Sequence, residues 1–92
     1  DTARPYGTIA YQFSMKTEDR KLLSKAYSWA KIAVKEGGDS FDNYVAASLA
    51  KKLDDTRRAL FHANAALKMA KEEDSAFVIE KATALLEELD AK

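Results

Sequence analysis

The sequence predicts an all-α fold of five antiparallel helices arranged as stacked helical hairpins. Three observations lead there. Helix breakers are few: Pro5 and Gly7 stand near the start, and the Gly37-Gly38 pair near the middle. Between them apolar residues recur at steps of three and four instead of alternating, which is the helical period. Residue types also repeat at a spacing of 33, so that Ala26, Ala30 and Ala33 return as Ala59, Ala63 and Ala66. A period in the low thirties marks stacked helical pairs.

Taken in order, the first helix runs from about Pro5 or Tyr6 to Met15, with Ile9, Ala10, Phe13 and Ser14 on its inner stripe. Proline suits a first turn, where its missing N–H has no partner to lose. Thr17 reads as the cap of the second helix, followed by Glu18 and Asp19 near the positive end of the helix dipole. That helix carries Leu22, Leu23, Ala26, Trp29, Ala30, Ala33 and Val34, and Gly37 ends it in the left-handed conformation. Asp39 or Ser40 caps the third, whose apolar set is Phe41, Tyr44, Val45, Ala47, Leu49 and Leu53. Asp54-Asp55-Thr56 turns the chain. The fourth helix carries Ala59, Leu60, Ala63, Ala66, Leu67 and Ala70. Glu72-Glu73-Asp74-Ser75 makes the last turn, before a fifth helix with Val78, Ile79, Ala82, Leu85, Leu86 and Leu89. Connections this short force neighbours to run antiparallel. The expected organisation is one domain over 1–92, with a first hairpin at 6–36, a second at 40–72 and a capping helix at 74–90.

The repeat extends beyond alanine. Tyr11 returns as Tyr44 and then as Phe77, Val45 as Val78, and Leu53 as Leu86. Small residues let two helices approach closely where they cross, and alanine does so without the entropic cost of glycine.

On these residues the stretch from Asn43 to Lys71 resembles the second half of the tetratricopeptide repeat: a polar turn at Asp54-Asp55, then Ala59, Ala63 and Ala66-Leu67. It differs in having Asp54 for the turn glycine, Lys71 for the terminal proline, and no matching aromatic and glycine around Ala46 and Ala47. The resemblance implies a superhelix of about two and a half repeats. A second likeness covers most of the chain. Ala10-Tyr11-Gln12-Phe13, Thr17-Glu18-Asp19, the run from Leu23 to Ala30, Asp42-Asn43-Tyr44 and Lys52-Leu53 are similar to the helical region that follows a thioredoxin-like domain in some bacterial envelope proteins. It implies a piece of a larger thioredoxin-related protein in a bacterial periplasm or envelope. A chain that opens on Asp1 is likewise expected to be a processed product or an excised piece.

Composition narrows the function classes. Without cysteine there is no disulfide and no thiol chemistry, and one histidine does not make a zinc cage. Fifteen basic residues balance fifteen acidic ones, which argues against general affinity for nucleic acid or an anionic membrane. No apolar run is long enough to cross a bilayer. The charge is unevenly placed, however. Lys16 to Lys35 holds six cations against Glu18 and Asp19, whereas Glu72 to Lys92 holds seven carboxylates against Lys81 and Lys92. Solvated faces and head-to-tail contact between copies are both open readings of that asymmetry.

No Ser/His/Asp set, glycine-rich phosphate loop or paired-carboxylate signature is present, so no catalytic, cofactor-binding or metal-ligating residue is assigned and the chain is expected not to be an enzyme. His62, beside the Ala59, Ala63 and Ala66 stripe but off it, is expected at the surface or an interface. Trp29 is expected between hairpins. In the tetratricopeptide arrangement the first helix of each pair lines a concave face. The resemblance therefore places Tyr11, Met15, Tyr44, Ser48, Lys51, Lys52, Phe77 and Lys81 on a candidate partner-binding face. Tyrosine and lysine together suit an extended peptide, held by stacking and charge. The alternative is that the aromatics fill gaps between hairpins. The function expected is thus a non-catalytic protein–protein interaction module for a protein or peptide segment, or for a neighbouring domain of the same chain. The alternative is a structural role, in which the module self-associates as a homodimer, since so short a stack gains from extra burial, or acts as a spacer.

Overall fold

The computed structural model describes residue 12 and residues 16–90. Among the described residues there are four α-helices and no strand: α1 (Arg20–Lys35), α2 (Ser40–Lys52), α3 (Thr56–Glu73) and α4 (Ala76–Asp90). They correspond to the second to fifth of the five expected helices. The expected first helix, Gln12 apart, lies outside the described residues, and so do the candidates Tyr11 and Met15.

Local chemistry sets each boundary. Asp19, not Thr17, caps α1: its carboxylate accepts from the backbone N–H groups of Lys21 at 2.8 Å and Leu22 at 3.3 Å. An anion at that position also meets the positive end of the helix dipole, an advantage a hydroxyl lacks. Thr17 instead accepts the backbone N–H of Asp19 through Oγ1 at 3.0 Å, one step ahead of the helix. Asp39 caps α2 in a reciprocal capping box with Asp42, and Asp55 caps α3 by accepting from the backbone N–H of Arg58 at 3.1 Å. The helices stop at left-handed residues: Gly37 after α1 (φ 89°), Asp54 after α2 (φ 62°) and Asp74 after α3 (φ 58°). Aspartate tolerates this region better than most residues, so Asp54 does the work of the absent turn glycine.

α2 is the hub, packed against α1, α3 and α4. Being covered on three sides, it buries more than one stripe. Ser40, Asp42, Asn43, Ala46 and Ala50 join Val45, Ala47 and Leu49 inside. The buried amide of Asn43 is satisfied by donating to the carbonyl of Asp39 at 3.3 Å and to Met69 Sδ at 3.2 Å. Ala26, Ala30 and Ala33 of α1 and Ala59, Ala63, Ala66 and Ala70 of α3 are all fully inaccessible, which identifies the alanine seams as contact lines. Leu23 and Leu49 are the bulkiest fully buried side chains, each contributing about 1.5–3 kcal/mol over an exposed leucine.

Two polar ties link each turn to the one 33 residues on. Arg20 Nη2 donates to the carbonyl of Leu53 at 3.0 Å, and its Nη1 reaches Asp54 Oδ2 at 3.4 Å. Ser40 donates to the Glu73 carboxylate twice, from Oγ at 2.7 Å and from its backbone N–H at 3.3 Å. The start of one helix thus meets the end of a later one, as antiparallel neighbours require. No described helix is long and apolar enough to cross a membrane.

Candidate functional site

On α2, Tyr44, Ser48 and Lys51 follow one another at steps of four and three and so share a helix face. On α4 the same spacing aligns Phe77, Lys81 and, two turns on, Glu88. An ion pair between Lys51 Nζ and Glu88 Oε1 joins the two stripes side by side. Of the eight expected face residues, Tyr44, Ser48 and Lys51 thus share one face of α2, and Phe77 and Lys81 one stripe of α4. Lys52 does not join them. It turns the other way and meets Glu18 Oε2, ahead of α1, at 3.0 Å.

The face has a graded depth. Tyr44 is half-buried and packs onto both clusters of the core. The Ser48 hydroxyl is turned inward, donating to the carbonyl of Tyr44 at 3.1 Å, and is occupied within its own helix. Phe77, the counterpart of Tyr44 one repeat later, is 51% exposed, with Lys81 Nζ 5.7 Å from its ring centroid. What this surface offers is a flat aromatic platform with a cation beside it. Glu88 neutralises Lys51, so the expected row of lysines is reduced in charge.

A second constellation was not expected. His62 is 7% exposed, held between α1 and α3 with Nε2 2.9 Å from the Tyr27 hydroxyl. Its ring meets Tyr27 and Phe61 edge-on, with centroids at 5.7 and 5.3 Å. Lys31 Nζ lies 5.0 Å from the Tyr27 ring centroid. His62 Nδ1 is buried without a hydrogen-bond partner. Burial, and then the nearby charges of Lys31 and Arg58, push the histidine below its usual pKa against the smaller opposing pull of Asp55. Burial likewise raises Tyr27, opposed by Arg58. Of the two placements expected for His62, surface or interface, it is not at the surface but in the contact between α1 and α3. The signal was its own spacing: 59, 62, 63 and 66 form an i, i+3, i+4, i+7 set, so His62 belongs to the buried stripe. Phe61, one position before it, is 70% exposed. Trp29 is half-buried against the core, with Lys25 Nζ 5.6 Å from its ring.

Among the described residues no cluster of three or more histidine, cysteine or acidic side chains is arranged to hold a metal ion. Compared with family models, curated proteins and solved structures, the chain matches none.

Proposed function

We propose that this chain is a non-catalytic protein–protein interaction module of the tetratricopeptide type. Its α2/α4 face takes an extended segment of a partner protein or of a neighbouring domain. The observation that carries the reading is Phe77: an aromatic ring more than half exposed, flanked by Lys81, on a face whose earlier repeat presents Tyr44. A ring left open at this position offers stacking and apolar contact at little conformational cost. The equal-step stack behind it is supported by the 33-residue ties from Arg20 to Leu53 and from Ser40 to Glu73. The context that suits the reading is a larger thioredoxin-related protein of a bacterial envelope.

Selection from a phage-displayed library of extended peptides tests it. The expected ligands weaken at least about tenfold on Phe77→Ala, equivalent to about 1.4 kcal/mol, with the melting temperature unchanged. Peptides that bind Phe77→Ala and the parent chain equally, or the absence of any selected peptide, overturn it. One observation favours a second reading, self-association as a structural spacer: Phe61, 70% exposed, stands away from the proposed face on α3. Sedimentation at increasing concentration decides this, because a species that stays monomeric excludes the spacer dimer.

A further inference from the structure

Two grooves of the fold occupy the same register of the 33-residue repeat. Between α3 and α4 lies a groove of about 370 Å³, floored by Leu60, Leu67 and Leu86, with Thr83, Glu87 and Asp90 along the α4 side. Thirty-three residues earlier the same positions are Tyr27, Val34, Leu53 and Ala50; there α3 covers Tyr27 and Ala50, while Val34 and Leu53 are half-buried like Leu67 and Leu86. Tyr27 is 7% exposed because His62 of α3 sits on it, and Ala50 is 1% exposed in a core shared with Ala59 and Ala63 of α3. One repeat later Leu60 is 36% exposed and Thr83 is open. At these two positions the α1/α2 seat is covered by α3, whereas the α3/α4 seat of the same register is open to solvent.

We infer that the α3/α4 groove is a second docking site, which takes an amphipathic helix of a partner protein bearing lysine or arginine along one flank. The helical form follows from the seat, since α3 occupies its equivalent. The basic flank follows from charge. The charged side chains lining the groove are Glu87 and Asp90, and Glu80 continues their stripe along α4 at helical spacing. A second copy docking its own α3/α4 groove would set carboxylate against carboxylate, which is unfavourable across a dimer axis. The inference uses the repeat but not the ligand proposed for the Phe77 face, and the two surfaces lie on different stripes of α4.

The probe is a helix-stapled peptide with the sequence of residues 56–73, an alanine-striped helix carrying Arg57, Arg58, Lys68 and Lys71. Titrated into the isotopically labelled chain, it is expected to shift the amides of Leu60, Leu67, Thr83 and Leu86. Its affinity should fall at least tenfold on Glu87→Lys with Asp90→Lys, two exposed changes that leave folding intact, and it should weaken with salt. Phe77→Ala should leave it unaltered, which separates this site from the proposed peptide face. Four results overturn the inference: no shift at millimolar peptide; shifts centred on Tyr27 and Ala50, meaning displacement of the chain's own α3; equal binding of a peptide with its four basic residues changed to glutamate; or groove signals that broaden with the chain's own concentration, meaning a second copy.

Discussion

Enlarging Ala63 to leucine tests whether the helices meet through their alanines. Ala63 is fully inaccessible, in the core shared with Ala46, Ala47 and Ala50 of α2. Alanine and leucine differ by only a few tenths of a kcal/mol in helix propensity, so the substitution reads packing almost alone. Three added carbons have nowhere to go without prising α3 off α2, and overpacking of this kind costs about 1–3 kcal/mol. A ninety-residue domain is stable by about 5–14 kcal/mol, so the variant should fold but with a visible deficit. At about 4–8 °C per kcal/mol, the melting temperature should drop by about 5–20 °C. Thermal and urea unfolding followed by circular dichroism measure it, with Ala84→Leu as control. Ala84 is exposed on α4, and the same change there should stay within about 0.5 kcal/mol of the parent. If Ala63→Leu melts with Ala84→Leu, the seam has slack and the close-packed stack is refuted.

Three further outcomes follow from the geometry. Because burial and the Lys31 and Arg58 charges lower the pKa of His62, the unfolded chain binds a proton that the folded chain resists. Stability should be full above about pH 6.5, decline as the pH falls below it and level off below the folded-state pKa; urea melts across that range should flatten in His62→Gln. Glu73→Ala strips Ser40, 1% exposed, of both its acceptor contacts and should cost about 1–3 kcal/mol, with a double-mutant cycle against Ser40→Ala showing the coupling. Gly38→Ala places a Cβ 2.5 Å from the carbonyl oxygen of Ala33 and 2.7 Å from Asp42 Oδ2, so chemical denaturation should show a loss of about 1–3 kcal/mol.

The second to fifth expected helices and the turns between them were legible because they rest on local chemistry. Gly37, the Asp54-Asp55 turn and the alanines at 59, 63 and 66 each state their role in the sequence. What was not legible depends on how many neighbours a helix has. The pattern of the third expected helix puts only Phe41, Tyr44, Val45, Ala47, Leu49 and Leu53 inside. As the hub of the stack, α2 also buries Asp42 and Asn43, polar residues whose burial is tolerable only because a capping box and a carbonyl receive them. The opposite error fell on Leu22 and Leu60, placed in apolar stripes yet 40% and 36% exposed. His62 was half legible: its spacing from Ala59 puts it on the buried stripe, but no local pattern announces the Tyr27 hydroxyl 35 residues away that makes its burial affordable. Of the candidate face, the stripes could be read from spacing. The neutralisation of Lys51 by Glu88 and the turning away of Lys52 needed the third dimension.

Both proposed surfaces have one physical origin, the change in what α4 presents compared with α2. The counterparts of Ala46, Ala47 and Ala50 on α4 are Ile79, Glu80 and Thr83. A helix can lie against α2 at alanine distance and become part of the fold; against α4 it is held further off by larger and partly polar side chains. Contact there buries less surface per turn and leaves room for water, which suits association and release more than permanent packing. The same loss of cover leaves Phe77 open where Tyr44 is half-buried. The substitutions that widen the seam on α4 are thus the common ground of both proposed surfaces. Restoring the alanine at the groove with Thr83→Ala, which leaves the carboxylates in place, should then tighten the stapled helix while leaving Phe77-dependent peptides unaffected. If the groove ligand gained nothing from the restored alanine, seam width would not be what distinguishes a docked helix from a folded one.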